Sequence, residues 1–199
     1  MKLIVISNPV NVNDEIETII ALFEFGLKHF HLRKPDFSRS EYKQFLDCIP
    51  NKYKQYTIVH HHHEIIKDYP TIGIHHTSKT EWNDIFSNNT HQSKSCHSLA
   101  EVKNNRYPYN YLFLSPIFNS ISKPGYPGKF DFNELKTFLK NLKNKTEIIA
   151  LGGIEPKNIA TAIAMGFNGV AILGTIWQET ELKKRIEKFQ TISTKLKIE

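Results

Sequence analysis

The sequence predicts a single-domain α/β protein, a (β/α)8 TIM barrel in its short version, over residues 1–199. Three observations predict it. Short β-branched runs alternate with helical patterns from end to end, the mark of a parallel sheet covered by helices. The alternation repeats eight times, the number at which such a sheet closes on itself. Each strand pattern also ends on polar residues or glycine: Ser7, Arg33, His60, His75, His97, Ser115, Gly152 with Gly153, and Gly174 with Thr175. Those ends would share one rim, the face on which barrels carry their sites. An open doubly wound sheet is the alternative, because 199 residues is short for a barrel.

Taken in order, the first strand is Leu3 to Ser7 (LIVIS), followed by a helical pattern over Asp14 to Phe25. The second is Leu27 to Arg33, followed by Arg39 to Cys48, and the third is Tyr56 to His60, followed by a short helix near Glu64 to Asp68. The fourth is Thr71 to His75, with a helix near Glu81 to Phe86, and the fifth is Ser93 to His97, with Leu99 to Asn104. The sixth, Tyr111 to Ser115, leads through a long loop to Phe132 to Leu142. The seventh, Glu147 to Leu151, and the eighth, Gly169 to Leu173, precede helices over Pro156 to Met165 and Glu179 to Phe189.

Composition narrows the function classes. The amino end, MKLIVISNPV, is too short an apolar run for a signal peptide or a membrane span, so a cytoplasmic protein is expected. Cys48 and Cys96 form no C-x-x-C pair, which argues against a disulfide framework and a thiolate zinc site. The formal charge of +6 raises nucleic acid as a partner. The densest lysines, in ELKTFLKNLKNK, instead recur opposite Leu135, Phe138 and Leu142, as on the solvated face of a helix. A small anionic substrate accounts for the charge, and no nucleic-acid or membrane partner is expected.

The chemistry concentrates at the strand ends. Gly152-Gly153 and Gly174-Thr175 follow the seventh and eighth strands, where glycine lets backbone N–H groups reach an anion; a phosphate site is expected there. In HFHLRKPD, His29, His31 and Arg33 share the inward face of a strand while Phe30 and Leu32 face the helices. An inward guanidinium calls for an anionic ligand or an ion pair to a carboxylate such as Asp36. Ser95 and His97 face the barrel and Cys96 packs behind it, which makes His97 a candidate general acid or base. After the sixth strand, Ser120, Ser122 and Lys123 precede a glycine- and proline-rich loop suited to gripping phosphate oxygens. The run His60 to His63 closes the third strand, with His60 and His61 able to face the mouth and His62 and His63 beginning a helix in solvent.

Together, HLRKPD, IVHH, IGIHH, SCHSLAEV, LSPIFNSISK, ALGGI and VAILGTI resemble the thiamine phosphate synthase family and its TenI-like thiazole tautomerase relatives, over nearly the whole chain. The resemblance implies that the last two glycine loops hold the phosphate of a thiazole phosphate. It also implies that Arg33, Ser95, Ser120, Ser122 and Lys123 stand where the synthase binds a pyrimidine diphosphate. The synthase pattern has an Asn-Asp pair after the third strand and an aspartate beyond the fourth, which hold magnesium; this chain has His60-His61 and Thr80 there. Hard magnesium disfavours imidazole, so no metal cofactor is expected. The expected activity is therefore metal-free thiazole tautomerisation, with His97 moving the proton and His60 and His31 as further catalytic candidates. The alternatives are the synthase reaction, a non-catalytic phosphate-binding barrel, and a zinc or nickel site built from His31, His60, His61 and His75. A homodimer is compatible with the sequence.

Overall fold

A computed structural model of the chain describes residues 1–78, 80, 82, 90–119, 128–142 and 146–197. Eight parallel strands close in sequence order: β1 (Lys2–Ile6), β2 (Phe30–Leu32), β3 (Thr57–Val59), β4 (Gly73–His76), β5 (Gln92–Cys96), β6 (Tyr111–Leu114), β7 (Glu147–Leu151) and β8 (Gly169–Ile172). β8 returns to β1, with Lys2 opposite Gly169 and Val5 opposite Ile172. The closed barrel replaces the open-sheet alternative. Five of the eight observed strands are one to four residues shorter than their sequence patterns; β2 lacks Leu27 to His29 at its amino end and Arg33 at its carboxyl end.

The outer layer comprises α1 (Glu15–Glu24), α2 (Arg39–Asp47), α3 (Asn51–Lys54), α4 (Leu99–Lys103), α5 (Phe132–Asn141), α6 (Ile159–Met165), α7 (Gly174–Trp177) and α8 (Leu182–Leu196). α2 starts at a capping box, Ser38 with Glu41, which satisfies two N–H groups that the first turn leaves unpaired. Asp131 caps α5 by accepting from the N–H groups of Asn133 and Glu134, and Ser98 caps α4 by accepting from that of Glu101. The pattern near Glu64 is a 3-10 turn over His63–Lys67, and the helix expected at Glu81 to Phe86 lies outside the described residues apart from Trp82. Two short helices, α3 and α7, carry no amphipathic period long enough to read from sequence.

Packing is divided between two layers. The outward faces of the strands and the inner faces of the helices form one continuous apolar cluster, which contains Phe30, Leu32, Leu112, Leu114, Val170 and Ile172. A smaller cluster fills part of the barrel itself: Ile4, Ile6, Tyr111, Phe113, Ile149 and Ala171. These six residues come from β1, β6, β7 and β8 only. The other half of the interior, lined by β2 to β5, carries the buried polar residues His31, His75 and Ser93 beside Ile58, and this division positions the site.

Two polar links tie the ends together. Trp177 Nε1 donates to Ile6 O at 2.7 Å, joining α7 to the end of β1. Arg185, 3% exposed, donates to Asn13 O at 2.9 Å and Thr18 Oγ1 at 3.1 Å, holding α8 on α1. Among the described residues no helix is long and apolar enough to cross a membrane.

Candidate active site at the barrel mouth

Alternation along β2, β4, β5 and β6 sends His31, His75, Ser93, Ser95, Tyr111 and Phe113 inward, and His60 joins them from the end of β3. His31 shares a hydrogen bond with His60 (Nδ1 to Nε2, 2.9 Å) and another with the Tyr111 hydroxyl (Nε2, 2.6 Å). His75 is held from both sides, Nδ1 by Ser93 Oγ and Nε2 by Ser95 Oγ, each at 2.8 Å. The His60 and His75 rings stack with centroids 4.2 Å apart, and Phe113 closes the group at 4.9 Å from His31 and 4.8 Å from His75. Burial pushes all three histidines well below the usual imidazole range, and their neighbours' charges add to the effect. They are neutral at pH 7.

Arg33 stands half-buried above this group. Its backbone is clamped to β1, with Arg33 N–H donating to Ser7 Oγ at 2.8 Å and the Ser7 hydroxyl donating to Arg33 O at 3.1 Å. Its positive charge contributes to lowering His60, His61 and His75, after burial. Among the described residues its guanidinium makes no ion pair, including with Asp36. The neighbouring residue makes the pair: Lys34, fully buried, meets Glu15 Oε2 at 2.6 Å.

The remaining expected residues are distributed around the rim. His97 is exposed, its Nδ1 3.3 Å from Ser115 O and 3.2 Å from Ser115 Oγ. Cys96 packs behind the sheet as expected, and burial raises its thiol to about 12. Thr175 is buried, its hydroxyl donating to Ile154 O, so it braces the β7 loop against α7. Ser120, Ser122 and Lys123 lie outside the described residues.

The histidine run departs from expectation at its second half. His62 and His63 are half-buried rather than solvated: His62 Nε2 lies 2.9 Å from Phe37 O, and His63 Nε2 lies 3.1 Å from His75 O. The cause is the backbone of His62, which at φ 54 turns both rings back toward the barrel. Ser93 and Tyr111 were not among the expected site residues. The same inward parity that selected Ser95 and His97 would have selected both.

Gly152 and Gly153, at φ 98 and 64, form the turn after β7, beside the β8 end where Gly174 begins α7. A Cβ on Gly153 would lie 2.1 Å from Asn119 O and 2.8 Å from Phe118 C. Gly153→Ala is therefore expected to lower stability by at least about 2 kcal/mol, since it adds a backbone collision to a left-handed conformation. Urea denaturation checks this; a midpoint equal to the parent's would show that the Phe118–Asn119 segment does not press on the turn.

The model of the family described as thiamine monophosphate synthase matches residues 3–176. The chain belongs to that family. Within this thiamine monophosphate synthase family, a thiamine-phosphate synthase of Latilactobacillus sakei subsp. sakei (strain 23K) is 24% identical over 182 residues, 88% of this chain and 80% of that one. A solved structure titled thiamine phosphate pyrophosphorylase, from Bacteroides thetaiotaomicron, is 32% identical, has a TM-score of 0.83, and covers 100% of this chain and 99% of that one. A thiamine phosphate pyrophosphorylase from Pyrococcus furiosus, 17% identical with a TM-score of 0.78 over 98% of this chain and 96% of that one, shares the fold.

Proposed function

We propose that the chain joins hydroxymethylpyrimidine diphosphate to a thiazole phosphate, making thiamine phosphate and releasing diphosphate. A C–N bond forms between the pyrimidine methylene and the thiazole nitrogen as the methylene–oxygen bond to diphosphate breaks. The observation that carries this is end-to-end similarity: the 32% identical Bacteroides thetaiotaomicron chain, matched over 99% of its length, bears the name of that activity. This reading takes the place of the expected tautomerase as the first choice.

In this scheme the amides of Gly152, Gly153 and Gly174 bind the thiazole phosphate. Arg33 and the Ser95 hydroxyl face the diphosphate, with Ser120, Ser122 and Lys123 assigned there by the sequence pattern. Charge leaving with diphosphate is met by the Arg33 guanidinium, which has no carboxylate partner among the described residues to neutralise it. The donors at the family's magnesium positions do not fit that ion. His61, at the aspartate position, is a half-buried imidazole beside the Arg33 charge, and the Thr80 hydroxyl shares a hydrogen bond with Thr77 at 2.7 Å. No step is assigned to magnesium.

The test is incubation with both substrates, following thiamine phosphate by chromatography and diphosphate by a coupled assay. One diphosphate per thiamine phosphate is expected, unchanged by added magnesium, and Arg33→Ala is expected to slow the reaction on the order of a hundredfold. Failure to form thiamine phosphate refutes the proposal. One observation favours a second reading, isomerisation of thiazole carboxylate phosphate by His97: an imidazole, His61, and a hydroxyl, Thr80, occupy the positions of the family's two carboxylates. Conversion of that substrate in the absence of the condensation would establish it.

A further inference from the structure

We infer that His31, His60 and His75 form a binding site for one zinc-class transition-metal ion inside the barrel. One ring nitrogen from each lies within 4.8 Å of the other two, and all three rings are buried. The three come from β2, the end of β3 and β4, consecutive strands of the closed sheet, so the backbone holds them in fixed relation. Zinc bonded to imidazole at 2.0–2.1 Å in tetrahedral geometry places its nitrogens roughly 3.3 Å apart. The His31 to His60 separation of 2.9 Å must widen slightly and the widest separation must contract, both within the reach of ring rotation.

The surroundings match those of a ligand set. Metal-binding imidazoles have their far nitrogen fixed by an oxygen partner. Here Tyr111 holds His31 Nε2 while Nδ1 faces His60, and Ser93 holds His75 Nδ1. Ser95 Oγ, 2.8 Å from His75 Nε2, moves aside when that nitrogen takes the ion. Burial keeps the three rings unprotonated, the form that coordinates. The cluster includes no carboxylate or thiolate among the described residues, which selects zinc, nickel or cobalt over magnesium or calcium. Three protein nitrogens leave a fourth position for water or a ligand oxygen. The inference does not depend on which reaction the chain performs.

The test uses chelator-treated full-length protein titrated with cobalt(II) chloride, read by its visible absorption, and then with zinc chloride. One cobalt per chain is expected, with the strong visible bands of a four-coordinate site, abolished by one equivalent of zinc. His60→Asn should weaken binding at least a hundredfold, whereas the double variant His61→Ala, His62→Ala should bind like the parent, because those rings lie outside the cluster. The parent decides the matter even if His60→Asn does not fold. With 15N-labelled histidine, one zinc should shift the nitrogens of three imidazoles on the chain and leave the others in place. No bands at 100 µM cobalt, loss of binding in the double variant, or shifts confined to His61 to His63 would overturn the inference and leave the trio as a hydrogen-bonded interior network.

Discussion

Lys34→Ala lowers the unfolding free energy by about 3–5 kcal/mol, the cost of stranding one member of a buried ion pair. Lys34 is 0% exposed and Glu15 5%. The ammonium donates to Glu15 Oε2 at 2.6 Å and to Val10 O at 2.8 Å. Burial pushes Glu15 up and Lys34 down, and the pairing opposes both shifts. Without the lysine, the carboxylate either stays charged in an apolar setting or takes up a proton. The double variant Lys34→Met, Glu15→Leu should recover most of the loss, since an apolar pair of similar volume removes the stranded charge. Urea denaturation of the parent, both single variants and the double variant checks the cycle. Equal midpoints for Lys34→Ala and the parent would show that the pair contributes nothing to stability.

Acid unfolds the chelator-treated protein between about pH 6.5 and 4. Burial lowers His29, His63 and His91 to about 4; Lys2 adds to the effect at His29 and His91, and Glu147 partly offsets it at His29. A histidine whose folded value lies below its unfolded value binds fewer protons folded than unfolded across that interval. Its stabilising contribution is therefore complete above pH 6.5 and is lost as the pH falls toward 4. Each such group gives a slope of about 1.4 kcal/mol per pH unit, and His31, His60 and His75, also lowered by burial, add to these three across the same interval, against a typical domain stability of about 5–15 kcal/mol. His91→Leu should reduce the slope by about 1.4 kcal/mol per pH unit. Circular dichroism against pH checks this, and stability constant from pH 7 to 4.5 would sink it.

The barrel was legible because its evidence is local: eight short apolar runs, each with a turn signal and a helical period, need no knowledge of which strands meet. Inward parity correctly placed His31, Ser95 and Cys96 for the same reason. The interior network depends on levels between strands, which a single sequence does not encode. His75 reaches Ser93 because β4 and β5 pair them directly, and His31 reaches Tyr111 across the barrel. The Lys34–Glu15 pair was hidden in a similar way, since the partner sits on a helix of another unit. The turn at His62 was not legible because a left-handed residue other than glycine leaves no compositional mark. The preference for condensation over isomerisation came from whole-chain similarity, to which no single residue points.

The pairing of β1 with β8 has a consequence for how the chain is made. Every other strand contact joins neighbours in sequence, but Lys2 waits for Gly169. At about 5–20 residues per second, synthesis leaves the free edge of β1 without its second neighbour for roughly ten seconds or more. During that time its unpaired N–H and C=O groups can template pairing with another nascent chain. The seam between first and last strands therefore sets the aggregation hazard during translation. Polysomes crowded with this message should yield more insoluble product than the finished protein does on refolding from dilute solution.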